Sequence, residues 1–342
     1  MNHQDTLRPA RNLAMDLVRV TEAAAISAAR FIGKGDAESA GKAATEAMRA
    51  FLRTVDLNGA IVIGEEKGQH FMLCNGEQVG NGAGPQADIA AAPVEGASLL
   101  AQGQPNSIAA IALADRGSMW NPGHSFYMNK IVVKRKAREA IDIRLSPTEN
   151  LHRIAESLGR KVSELTVFVL DKPRHGSLIE EIRQAGARIT LHSDGDVMGA
   201  LMAALPGTGV DVLMGVGGAS EGLITAAAVK ALGGGMQGMR APQREDEKRR
   251  LKEDHVKIRE VLTLDKLIRS DNTIWAATGI TQGTFLEGVD FGQETGIITH
   301  SIAIRALTGS IRFIKSIHQL DPQPSGGPAD ATPAQVAFEV VE

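Results

Sequence analysis

The chain is poor in several residue types that would each point to a function. It has one cysteine in 342 residues, so no intrachain disulfide is possible and a reducing, cytoplasmic setting is expected. That cysteine, Cys74, sits in the apolar run Phe71-Met72-Leu73-Cys74 and reads as a small core residue rather than a nucleophile. Aromatic residues number nine Phe, two Trp and one Tyr, too few for a surface that stacks bases. The formal net charge is only −3, so no strong pull on nucleic acid is expected. No apolar run approaches the ~20 residues of a membrane span, and Met1-Asn2-His3-Gln4-Asp5 carries no apolar signal core. A hydrophobic content of 43% nevertheless excludes a disordered chain.

Glycine is abundant, with 37 residues, well above the roughly 7% of an average protein. Glycine serves where the backbone turns tightly or approaches a ligand closely. Residues 12–32 predict an amphipathic helix through Leu13, Leu17, Val20, Ala24, Ala28 and Phe31. A second helix is expected from about Ser39. Short strands are expected at 60–63, 71–74, 107–114 and 130–133. From Ser146-Pro147-Thr148-Glu149, a capping box, the rhythm becomes regular. Strands at 165–170, 188–191 and 210–214 alternate with helices after Ser146, at Ser177-Leu178-Ile179-Glu180 (read as a second capping box), at 197–205 and at 221–232. Such alternation implies parallel strands with crossover helices. Residues 1–150 are expected to form an N-terminal α+β lobe, 151–320 a C-terminal α/β lobe and 321–342 a disordered tail whose apolar end, Val336–Val341, is a weak docking candidate. Residues 243–260 hold seven basic and six acidic residues and read as a solvated helix or loop.

Glycine–carboxylate clusters recur at predicted strand ends: Gly64-Glu65-Glu66, Pro93-Val94-Glu95-Gly96, Asp194-Gly195-Asp196 and Gly215-Val216-Gly217-Gly218-Ala219-Ser220-Glu221-Gly222. Ligands of α/β sheets bind beyond the carboxyl ends of strands. Acidic residues there suit Mg²⁺ or Mn²⁺, and adjacent glycines let N–H groups approach a phosphate. Ordinary loop acids and helix C-caps would read the same way. Ser220 stands where a dinucleotide fingerprint needs its third glycine, and no Walker lysine motif is present. Lys172-Pro173-Arg174-His175 follows a strand; it reads as a phosphate clamp or as a solvated turn.

Together with Leu17-Val18-Arg19-Val20-Thr21-Glu22-Ala23-Ala24-Ala25, Ile61-Val62-Ile63-Gly64-Glu65, Ser193-Asp194-Gly195-Asp196-Val197 and Ala276-Ala277-Thr278-Gly279-Ile280-Thr281, these segments resemble the class II fructose-1,6-bisphosphatases, a bacterial family that includes bifunctional fructose/sedoheptulose-bisphosphatases. The likeness runs from about residue 12 to about 320. It implies an α/β protein with the layered α/β/α/β/α fold of the lithium-sensitive sugar-phosphatase superfamily. It also implies cytoplasmic homo-oligomers, dimer or tetramer. The implied reaction is hydrolysis of the 1-phosphate of fructose 1,6-bisphosphate with Mn²⁺ or Mg²⁺, in gluconeogenesis or the Calvin cycle.

Carried over by resemblance, Glu65, Glu95 and Glu221 match metal ligands. Gly96, Tyr127, Lys172, Arg174, Asp194, Asp196 and Gly218 match positions that contact the sugar phosphate. The catalytic motif departs from the pattern. Ala92 stands where the family has a metal-binding aspartate, Ala97 where it has a water-orienting threonine, and Gly41 where the second helix carries another ligand aspartate. The segment after Glu65 is shorter and less acidic than the family's. Asp36, Glu66 and Asp88 are candidate replacement acids. Asp88, four residues back along its strand, lies roughly 13 Å from position 92, and Ser98 needs a register change to replace the threonine. Two readings therefore stand: a class II fructose-bisphosphatase with an altered metal shell, weakened metal binding and reduced or lost activity, or a non-catalytic sugar-phosphate-binding paralogue acting as regulator or partner of an active copy.

Overall fold

The computed structural model describes residues 13–64, 72–292 and 296–319. The expected tail from Asp321 and the ligand candidate Glu65 lie outside the described residues, as do Glu66 and Phe71.

Two mixed sheets organise the fold. The first has seven strands in the order β13-β12-β11-β4-β3-β1-β2. They are β1 (Asn58–Ile63), β2 (Gln78–Val79), β3 (Gln86–Glu95), β4 (Ile108–Asp115), β11 (Ile274–Gly279), β12 (Ile297–Arg305) and β13 (Ser310–His318). The second has six, in the order β10-β9-β5-β8-β6-β7. They are β5 (Tyr127–Val133), β6 (Thr166–Leu170), β7 (Arg188–His192), β8 (Val212–Gly218), β9 (Gly235–Arg240) and β10 (Leu262–Thr263). The second sheet begins with β5, and the chain returns to the first sheet for its last three strands.

Helices fill the spaces as five layers. The helices α1 (Ala14–Ala29) and α2 (Ala37–Leu52) cover the outer face of the first sheet, where Leu17, Val20, Ala24 and Met48 join Ile89, Ile111 and Leu113 in one core. Between the sheets lie α6 (Asp196–Ala204) and α7 (Ala219–Leu232). There Val197, Leu201, Leu223 and Ala227 meet Ala110, Ala112 and Ala114 of one sheet and Met128, Val132 and Leu213 of the other. On the far side α4 (Pro147–Leu158) and α5 (Gly176–Gln184) pack Leu151, Ile154, Ile179 and Ile182 on Ile131, Val167 and Val212. β4 alternates between two cores, which explains its unbroken apolar sequence: a strand covered on both faces has no polar side.

Several sequence expectations shift. The first helix ends at Ala29 and the second begins at Ala37, with Asp36 as its N-cap accepting the Ser39 N–H at 2.9 Å. Met72–Cys74 forms no strand beyond a single bridge residue at Cys74, which is buried as expected. The Ser146 capping box is present. Ser177 is no cap, because a 3₁₀ turn at Pro173–His175 runs straight into α5. β6 is parallel to β7 and β8, but β5 and β9 are antiparallel to their neighbours. The charged stretch becomes α8 (Glu245–Glu253), and it is not wholly solvated, since Glu247 and Leu251 are buried. Two short helices, α3 (Ala97–Ala101) and α9 (Leu264–Leu267), complete the description. Among the described residues no helix is long and apolar enough to cross a membrane.

Candidate active site

The site forms where β3 and β8 end and α3, α6 and α7 begin. β3 loses its register with β4 between Ala92 and Glu95, and Pro93 sits in that irregularity, where a strand tolerates its missing donor. Glu95 is followed by Gly96 at φ 76° and Asp194 by Gly195 at φ 92°. Both turns need the left-handed region, which glycine enters without penalty. The first turn of α6 reaches Glu95 directly, with the Val197 N–H donating to Oε1 at 3.1 Å. Ser107 braces the Glu95 carbonyl at 2.9 Å, and Ser107 is itself fixed by Thr281 Oγ1, which accepts its N–H at 2.9 Å. Thus the Ala276–Thr281 segment acts as a scaffold behind the site.

Four carboxylates converge here: Glu95, Asp194, Asp196 and Glu221. Burial, then repulsion from Asp194, pushes the Glu95 carboxyl well above its ordinary range, and the Val197 N–H opposes this only in part. Burial likewise raises Glu221, with Asp196 and Asp194 adding to it. One cation is built in. Lys130 of β5, only 1% exposed, pairs with Asp196 Oδ2. Gly217 makes room for this pair, since a Cβ there would lie 1.9 Å from Asp196 Oδ2 and 2.6 Å from Lys130 Nζ. Gly218 admits Glu221 in the same way: a Cβ would meet Oε2 at 1.7 Å.

This donor set fits a divalent cation only partly. Asp196 is committed to Lys130; Asp194 takes Ser98 Oγ at 2.7 Å and the Gly195 N–H at 3.0 Å. That leaves Glu95, whose buried Oε2 has no hydrogen-bond partner, and Glu221. Among the described residues no three His, Cys, Asp or Glu side chains are grouped to hold a metal. Of the replacement acids, Asp36 caps α2, buried Asp88 accepts the Met119 N–H at 3.0 Å beside Arg116, and Glu66 lies outside the described residues. Ala92 and Ala97 flank Glu95 on β3 and α3 with no donor to offer. At Gly41 a Cβ would meet nothing within 4 Å, so a longer side chain has space there.

A basic wall faces the acids. Arg174 donates Nε and Nη2 to the Val216 carbonyl at 3.0 and 2.8 Å and lies 5.7 Å over the Tyr127 ring. Buried His175 holds the preceding peptide, accepting the Val216 N–H on Nε2 at 2.8 Å while Nδ1–H donates to the Leu170 carbonyl at 2.7 Å. Burial lowers its proton affinity, which keeps this neutral tautomer. Lys172 is half-buried at the start of the same turn, without a side-chain partner among the described residues. Tyr127 is positioned from α8, where fully buried Glu247 accepts the N–H groups of Phe126 and Tyr127 on Oε1, at 2.7 and 3.1 Å.

The structure therefore gathers Glu95, Gly96, Asp194, Asp196, Gly218 and Glu221, with Tyr127 and Arg174 beside them. Sequence reasoning missed Lys130, His175 and Glu247. His175 is the last residue of the quoted basic string; the signal for the other two was only a lone lysine in an apolar strand and one acid among many in a charged helix.

Residues 11–318 match the family described as bacterial fructose-1,6-bisphosphatase, glpX-encoded. The chain is 41% identical over 325 residues to fructose-1,6-bisphosphatase 1 class 2 of Escherichia coli strain K12, covering 91% of this chain and 96% of that enzyme. The class 2 fructose-1,6-bisphosphatases of Escherichia coli O6:H1 and Shigella flexneri match over the same shares with the same identity. Similarity that spans nearly the full length of both partners and includes every strand of both sheets shows that the chain belongs to the bacterial, class 2 fructose-1,6-bisphosphatase family.

Proposed function

We propose that the chain binds fructose 1,6-bisphosphate in this cleft and hydrolyses its 1-phosphate with reduced efficiency. The observation carrying this reading is the commitment of the acids: Asp196 is paired with Lys130, Asp194 takes Ser98 and the Gly195 N–H, and Glu95, flanked by Ala92 and Ala97, keeps only Oε2 without a partner. In this reading Arg174 and Lys172 hold phosphate oxygens, Asp194 and Asp196 accept sugar hydroxyls, and the Gly218 backbone lies against the sugar phosphate. Glu95 and Glu221, with Glu65 outside the described residues as the third family position, would hold Mn²⁺ or Mg²⁺, which when bound would offset phosphoryl charge and lower the pKa of a water. Too few ligand charges weaken such a hard-cation site, and loss of one transition-state donor alone costs roughly 10²–10³ in rate.

A second reading, a non-catalytic sugar-phosphate-binding partner of an active paralogue, draws on the same selectivity: the binding side chains stay while the metal shell thins. Phosphate release with Mn²⁺ and with Mg²⁺ tests both, measured beside a Gly41→Asp/Ala92→Asp/Ala97→Thr variant. A slow parent and a fast variant support reduced catalysis. A parent as fast as the variant refutes it, and an inert parent favours the binding partner.

A further inference from the structure

The turn that carries Glu95 is tied across the cleft to the turn that carries Asp194. Ser98, in the first turn of α3, donates its hydroxyl to Asp194 Oδ2 at 2.7 Å, across 96 positions of sequence. Buried Leu99 packs beside it on the same turn: a Cβ on Gly195 would lie 3.4 Å from Leu99 Cδ1, and one on Gly96 would lie 3.0 Å from that atom. Two further bonds flank this contact, from the Val197 N–H to Glu95 Oε1 at 3.1 Å and from Ser193 Oγ to Gln104 Oε1 at 3.4 Å. A serine close to a helix N-terminus ordinarily bonds to its own backbone. The Ser98 hydroxyl turns instead to the loop between β7 and α6. It therefore does not replace the hydroxyl that Ala97 lacks; it serves Asp194.

Asp194 is more open than its neighbours: it is half-buried, whereas Glu95 and Asp196 are buried. Its Oδ1 accepts the Gly195 N–H at 3.0 Å. With that bond alone the carboxylate is hinged at one oxygen and can turn about Cβ–Cγ. The Ser98 bond pins the second oxygen and fixes the plane, against the repulsion of nearby Glu95. A carboxylate oxygen has about two acceptor directions, so each oxygen keeps one for a ligand hydroxyl. We propose that Ser98 is a positioning residue for sugar recognition: it fixes Asp194 as an acceptor of sugar hydroxyls, and so makes the cleft prefer a polyhydroxylated bisphosphate to one of equal length without hydroxyls. A site built to bond a ligand hydroxyl rejects the analogue that lacks it. The proposal rests on the reading of Asp194 as a sugar contact, and it assigns the turn beside Ala92 and Ala97 to substrate selection.

The test is calorimetry on the full-length chain with Mg²⁺ present. The two titrants are fructose 1,6-bisphosphate and hexane-1,6-diol bisphosphate, which carries both phosphates and no sugar hydroxyl. Ser98→Ala is expected to weaken the sugar bisphosphate about tenfold, the usual scale for one hydrogen bond to a charged group. It is expected to leave the diol bisphosphate within about twofold of the parent. Ser98→Thr keeps the hydroxyl and is expected to retain parent affinity for both. In an Asp194→Ala background, Ser98→Ala is expected to cause no further loss, because the two side chains act as one unit. Circular dichroism confirms that each variant folds. Equal weakening of both ligands by Ser98→Ala, or a further loss in the Asp194→Ala background, would show that Ser98 only braces the fold and would overturn the proposal. Undiminished sugar binding by Ser98→Ala beside a parent that binds would also overturn it, while leaving the proposed function in place. A parent that binds neither ligand would overturn both.

Discussion

Lys130→Met preserves side-chain length but strips Asp196 of its cation, next to Glu95, Asp194 and Glu221. The pair is enclosed, with Lys130 1% and Asp196 5% exposed, so water cannot take over from the ammonium. Removing one member of a buried pair and leaving the other typically costs about 3–5 kcal/mol. The upper part of that range applies here, because three further carboxylates repel the stranded charge. With a urea m-value of about 3 kcal/mol/M for a chain of this size, the unfolding midpoint is expected to fall by roughly 1.3–1.7 M. Adding Asp196→Asn removes the stranded charge and is expected to recover most of the loss, since a buried pair replaced whole is often close to neutral. Urea denaturation of the parent, both single variants and the double variant provides the cycle. A midpoint drop below about 0.3 M for Lys130→Met, or a double variant no better than the single, would refute the reasoning that Lys130 neutralises the acidic cluster.

Further outcomes follow from neighbouring contacts. Burial holds His175 below the ordinary imidazole value, so on acidification the unfolded chain takes up that proton first. The contribution of His175 to stability is expected to be fully present above about pH 6.5 and to fall as the pH drops below it. His175→Gln is expected to flatten the slope between pH 7 and 5, leaving the part due to His192, which burial shifts the same way, and the opposite part due to Glu95 and Glu221, which burial raises; an unchanged slope would contradict it. Glu247→Ala leaves three backbone N–H groups without their acceptor and is expected to raise acrylamide quenching of Trp120 while the fully buried Trp275 stays dark to the quencher. Quenching equal to the parent would remove α8 as the support of that loop. Gly41→Ala, in open space on α2, is expected to stabilise by about 0.5–1 kcal/mol. Gly217→Ala is expected to weaken bisphosphate affinity sharply by displacing Asp196, and calorimetry with fructose 1,6-bisphosphate reads it.

Much of this was legible because it is local. Continuous apolar runs such as Ile108–Ala114 and the Ser146 capping box report their own strand and helix. Glycine next to acid at strand ends announced Glu95, Asp194, Asp196 and Glu221. What escaped was non-local. The antiparallel pairing of β5 with β8 and β9 joins segments about a hundred residues apart, and nothing in Tyr127–Val133 encodes the partner's direction. Lys130 reads as an ordinary polar residue until Asp196, 66 positions away, closes on it. Glu247 is one of six acids in a charged stretch, and only the fold turns it inward to hold Phe126 and Tyr127. Ser177 failed as a cap for a subtler reason: the turn that places Arg174 and His175 on Val216 already supplies the start of α5.

The central claim, that the cleft keeps its sugar-phosphate groups while hydrolysis is diminished, meets its most direct test in ³¹P NMR of one sample. Fructose 1,6-bisphosphate is added to the parent chain with Mg²⁺, and bound-state shifts and the inorganic phosphate resonance are followed together. The account predicts saturable shifts of the bisphosphate signals, with phosphate appearing at least about 100-fold more slowly than from the Gly41→Asp/Ala92→Asp/Ala97→Thr variant. Phosphate released by the parent as fast as by that variant, or no shift at saturating protein, would contradict it.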